Sequence, residues 1–78
     1  MAAKEKIKEV IVNLLKIKPE ELRDGVSLIE SIGVDSTEMV EIVIALEKAF
    51  STKLSPKEIT KSSTLGDIEK IIQSKLGA

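Results

Sequence analysis

Gly33-Val34-Asp35-Ser36-Thr37-Glu38-Met39-Val40-Glu41-Ile42-Val43-Ile44-Ala45-Leu46-Glu47-Lys48-Ala49-Phe50 decides the fold class of this chain. Met39, Ile42, Val43, Leu46 and Phe50 recur at the spacing of one helix face, and Asp35 with Glu38 three residues on forms a variant of the capping box. A helix therefore opens at Asp35 and runs to about Phe50, and its first residue past the cap is Ser36. Backbone N–H groups at such an end lack intrahelical partners and the macrodipole is positive, so a phosphate bonded to the Ser36 hydroxyl would be held with little further help. The opposite side carries Thr37, Glu41 and Lys48. Val40 and Ile44 beside them are more apolar than a solvated flank requires; they read either as a partner contact or as ordinary exposed aliphatics.

The same pattern recurs on both sides of this helix. Ile7, Val10, Ile11, Leu14 and Leu15 make an apolar stripe that predicts a helix from about Ala3 to Ile17. Pro19 disfavours helical geometry at Lys18, and the stretch from there to Val34 holds Gly25 and Gly33 without a sustained period. It reads as a long connection pinned by Leu22, Val26, Leu28 and Ile32, of a length that is often functional. Ser55-Pro56-Lys57-Glu58 carries helix-start signals, but Ser62-Ser63-Thr64 follows soon after, which predicts a short helix of one to two turns. Thr64 with Asp67 opens a last helix whose apolar face is Leu65, Ile68, Ile71, Ile72 and Leu76, closing near Gly77. The fold class is all-α, a small four-helix bundle of three longer helices and one short one, in a single domain over residues 1–78.

Composition excludes several kinds of chemistry. Without cysteine or histidine there are no disulfides, thiolate nucleophiles or imidazole bases, and any thiol must be imported. As a hydrolase nucleophile Ser36 would have only a lysine or a carboxylate as its base. One Phe with no Trp or Tyr leaves almost no stacking surface, so nucleic acid is not the expected partner. No apolar run is long enough to span a bilayer, and Met1-Ala2-Ala3-Lys4-Glu5-Lys6 lacks the apolar stretch of a signal peptide, so the expected location is cytoplasmic. The mixed, charged surface predicts a monomer. The net charge of −1 hides an asymmetry: residues 20–47 hold eight acids and one arginine, while each flank is net basic. A partner that docks on this middle segment should itself be basic.

With Asp35-Ser36 followed by the acidic helix, the chain resembles an acyl carrier protein over its whole length. Gly-x-Asp-Ser is matched by Gly33-Val34-Asp35-Ser36, and the family's Val-Glu-apolar-Val-x-Ala-Leu-Glu by Val40-Glu41-Ile42-Val43-Ile44-Ala45-Leu46-Glu47. The resemblance implies that a phosphopantetheinyl transferase moves 4′-phosphopantetheine from coenzyme A onto Ser36. The thiol of that arm would carry acyl groups as thioesters to successive enzymes, with the protein doing no catalysis itself. The resemblance also implies that Asp35 orients the serine and helps the transferase place its metal ion, and that Glu38, Glu41 and Glu47 meet basic patches on acyl-loading and acyl-using enzymes. Encounters of that kind are fast and reversible. By the same resemblance an acyl chain enters between the Ser36 helix and the short helix after it, so Ala45, Leu46, Ile59 and Ile68 are candidate lining residues.

Two features depart from the family pattern. Thr37 stands where a leucine is usual, and Lys48, Lys53, Lys57 and Lys61 occupy a region that is acidic in carriers of primary fatty-acid synthesis. They point to a specialised carrier whose recognition surface, Lys48 included, is partly inverted. Aminoacyl or polyketide cargo is an alternative on the same serine. From another class, an unmodified helical module could dock through its acidic helix, because serine and aspartate also favour helix starts with no chemical role.

Overall fold

Three apolar stripes meet in one core: Ile7 and Ile11 from the first, Met39, Ile42, Val43 and Leu46 from the second, and Leu65, Ile68 and Ile72 from the third. The computed structural model describes residues 3–76, so the expected helix close near Gly77 falls outside the described residues. The helices are α1 (Ala3–Leu15), α2 (Leu28–Ile32), α3 (Ser36–Phe50) and α4 (Leu65–Lys75), with a 3₁₀ turn over Pro19–Glu21. No strand is present among the described residues, so the chain is all-α with three longer helices and one short one, as the periodicity predicts. α1 packs against both α3 and α4.

The short helix lies elsewhere than the sequence predicts. Pro56–Ile59 forms turns, and the fourth helix is α2, inside the stretch expected to be irregular. After Ser55 the chain completes one turn, with Glu58 and Ile59 N–H groups both donating to the Ser55 carbonyl at 2.9 and 3.3 Å. Side chains then take over: Thr60 N–H donates to Ser63 Oγ at 3.0 Å and Ser62 N–H to Thr60 Oγ1 at 3.3 Å. Such local side-chain bonds compete with helix propagation. The carbonyls of this segment serve α2 instead. Leu28 N–H donates to the Ser63 carbonyl and Ile29 N–H to the Lys61 carbonyl, both at 3.0 Å, while Ser27 Oγ accepts from Glu30 N–H at 3.3 Å. Two otherwise unpaired N–H groups at the start of α2 and two carbonyls of the turn thereby satisfy each other, which sustains a five-residue helix too short to stand alone.

The other differences lie at helix ends and edges. α1 stops at Leu15 rather than Ile17, because Lys16 takes a left-handed φ of 56° and Ile17 N–H reaches back to the Val12 carbonyl. Leu22 and Leu28 are buried as predicted, but Val26 is only half-buried and outside the core cluster. Leu76 is exposed, since α4 ends before it can fold inward, and Phe50 is half-buried with the Lys6 ammonium 5.0 Å from its ring centroid. The Cα radius of gyration is 11.2 Å, close to the roughly 11.5 Å expected for a compact domain of this length, so the long connections lie against the core.

Candidate functional site

Gly33 sets the geometry of the site. It ends α2 in the left-handed region at φ 66°, with its N–H on the Ile29 carbonyl at 3.0 Å, and turns the chain in two residues into α3. Val34 is buried beneath the turn, which leaves Asp35 and Ser36 exposed. The expected capping box is present: Glu38 N–H donates to Asp35 Oδ1 at 2.7 Å, and Asp35 N–H donates to Glu38 Oε1 at 3.1 Å.

These two bonds occupy two of the four donors that a helix start leaves without intrahelical partners; the N–H groups of Ser36 and Thr37 remain. Those two flank the Ser36 hydroxyl at the positive end of a fifteen-residue helix. A phosphate esterified there has backbone donors next to it and open solvent outward. Beside it runs an open groove of about 250 Å³, lined by Ser36, Met39, Val40, Pro56, Ile59, Thr60 and Lys61. An exposed hydroxyl, free donors and an adjoining groove with an apolar floor together fit a phosphate-linked arm.

The other predicted residues separate into groups. Thr37, Val40, Glu41, Ile44 and Lys48 are exposed along one side of α3, with Val40 at 47% and Ile44 at 46% exposure standing out as large aliphatics in solvent. Glu38 and Glu47 are half-buried and engaged internally, Glu38 in the capping box and Glu47 through Oε2, which accepts Leu54 N–H at 2.8 Å. Of the four candidate lining residues only Ile59 reaches the groove; Leu46 and Ile68 are fully buried in the core and Ala45 is half-buried on α3.

Sequence reasoning missed the internal role of Glu47 and the groove positions of Pro56, Thr60 and Lys61. Nothing local signals either, since Leu54 is seven residues from Glu47 and Lys61 is placed by a backbone bond to α2. The turn that forms the groove's far wall is tied to α4 by Glu58 Oε1 and the Lys75 ammonium at 2.9 Å. The Lys75 hydrogen bond, against an opposing desolvation, holds the Glu58 carboxyl below its ordinary value of 4.5. Among the described residues no cluster of three or more carboxylates is arranged to hold a metal ion, and no helix is long and apolar enough to cross a membrane.

Residues 5–72 match the family described as Phosphopantetheine attachment site. The chain is similar to the acyl carrier protein of Wolinella succinogenes, 38% identical over 74 residues that cover 95% of this chain and 97% of that protein. It is likewise similar to the acyl carrier protein of Sulfurovum sp., 34% identical with 95% and 99% covered, and to that of Chlamydia muridarum, 31% identical with 96% and 97% covered.

Proposed function

The chain belongs to the acyl carrier protein family, whose members are carriers rather than enzymes and hold a covalent 4′-phosphopantetheine, and from that premise we propose that Ser36 is the residue that bears the group. The observation that supports this most is the exposed Ser36 hydroxyl at the first position of α3, with the unpaired N–H groups of Ser36 and Thr37 beside it. Asp35 orients the serine by capping the helix and stays exposed to the modifying enzyme. When bound, the arm supplies the thiol that this cysteine-free chain lacks, and acyl groups ride on it as thioesters.

Partner enzymes meet the exposed side of α3, where Thr37, Val40, Glu41, Ile44 and Lys48 offer two aliphatics between charges of both signs. Glu38 and Glu47 add their second carboxylate oxygens at its margin. Lys48, Lys53, Lys57 and Lys61 form no ion pair among the described residues, which supports a carrier with its own dedicated partners. An acyl chain enters through the groove by parting the Pro56–Lys61 wall from Met39 and Val40; it meets Ile59 first, and Ala45, Leu46 and Ile68 only by displacing core packing.

Intact-protein mass after incubation with coenzyme A, magnesium and a broad-specificity phosphopantetheinyl transferase tests the assignment. One added phosphopantetheine in the parent chain and none in Ser36→Ala is the expected outcome. A folded, initially unmodified sample that gains nothing would instead indicate an unmodified docking module.

A further inference from the structure

We propose that Lys61 is the counter-ion of the phosphodiester on Ser36, fixing the first segment of the arm along the groove; this rests on the assignment of Ser36 above. A phosphodiester at Ser36 places a further negative charge beside Asp35 and Glu38. Asp35 Oδ1 and Glu38 Oε1 are each bonded to the other residue's N–H, so neither carboxylate can swing away without uncapping α3. Three anionic groups crowd one helix start, and the partial positive charge of the helix end, about half an elementary charge, offsets only part of this.

Among the described residues, Lys61 is the one charged residue that lines the groove together with Ser36. Three other cations have partners: Lys4 pairs with Asp24, Lys75 with Glu58, and Arg23 donates to the Glu30 carbonyl; Lys57 is exposed in the same segment as Lys61 but does not line the groove. Lys48 and Lys53 line a separate hollow at the far end of α3. Lys61 itself makes no ion pair among the described residues, although it is only half-exposed. Its backbone is fixed, because the Lys61 carbonyl accepts Ile29 N–H at 3.0 Å and the neighbouring Ser63 carbonyl accepts Leu28 N–H. A lysine rooted in a fixed backbone presents a mobile ammonium with three donors, suited to a phosphate as a point charge. Thr60, on the same wall, accepts Ser62 N–H and keeps its hydroxyl hydrogen to donate.

The test compares the unloaded and the enzymatically loaded protein by NMR, with intact mass confirming one added group in every sample. Loading should move the side-chain methylene and ammonium signals of Lys61 and leave those of Lys57 in place. The phosphorus-31 resonance of loaded Lys61→Gln should differ from that of the parent and return toward it in Lys61→Arg, with the difference shrinking as salt is raised. Lys57→Gln should leave that resonance unchanged. A mass-confirmed loaded parent whose Lys61 signals stay still, or a phosphorus resonance indifferent to Lys61→Gln, overturns the proposal while leaving Ser36 as the attachment point. Failure of the parent to gain mass overturns both. If Lys61→Gln does not fold, the parent's own loaded-minus-unloaded shifts at Lys61 decide.

Discussion

Glu47 lies beside the face of α3 that partners would read, yet its Oε2 accepts Leu54 N–H and so anchors the chain that leaves the helix. Truncating it strands a half-buried donor, which typically costs about 1–3 kcal/mol, whereas Glu41 is exposed and its truncation should change stability by no more than about 0.5 kcal/mol. Urea midpoints of Glu47→Ala and Glu41→Ala measure the difference; equal midpoints would leave Glu47 as a surface charge alone. Ser31 makes the converse case, because its Oγ is buried without a hydrogen-bond partner. Ser31→Ala should be neutral or stabilising by up to about 1 kcal/mol in the same assay, and a clear loss would mean that the hydroxyl is partnered. Asp35 and Glu38 were legible in sequence because a capping box is local. Glu47 was not, because its partner sits beyond the helix end.

At the scale of elements, the starts of α3 and α4 follow their sequence signals, each with both bonds of its capping box in place. Their ends were harder to read. α1 and α3 close with left-handed Lys16 and Ser51, at φ 56° and 52°, where the usual glycine is missing. Lys16→Gly should therefore raise stability by roughly 0.5–1 kcal/mol, the relief of left-handed strain exceeding the added chain entropy. A fall in the thermal midpoint would show that Lys16 contributes through contacts instead. The turn at Ser55–Ile59 is tied to α4 by the Glu58–Lys75 pair. Glu58 has a lowered pKa in the folded chain, so the pair's contribution is present above the ordinary value of 4.5 and is lost as pH falls through the folded value. The stability gap between the parent and Lys75→Gln should thus be constant near neutrality and close at acid pH. A gap that persisted under acid would place the role of Lys75 in packing.

For the whole molecule, charge and core size set the balance. Residues 20–47 concentrate eight acids against Arg23 in a chain too small to bury a large core. Raising sodium chloride from about 20 to about 300 mM should increase the thermal midpoint by a few degrees through screening. With no carboxylate cage among the described residues, magnesium at equal ionic strength should do no more; a specific gain would reveal a metal site. The sequence by itself determined the all-α class, the three long amphipathic helices, the caps at Asp35 and Thr64 and the serine one residue past the cap. Each of those depends on residues within about one or two turns of one another, so composition and spacing suffice. Only the tertiary structure decided that the short helix is Leu28–Ile32 rather than the turn after Ser55, that Leu46 and Ile68 belong to the core rather than the groove, and that Lys61 shares a groove with Ser36. Leu46 and Ile68 are buried because the stripes of α3 and α4 meet in one core, and the other two follow from one pairing, in which the Lys61 and Ser63 carbonyls accept the N–H groups of Ile29 and Leu28 more than thirty residues away. No local pattern encodes so distant a pairing, and it forms only when the core brings the two segments together.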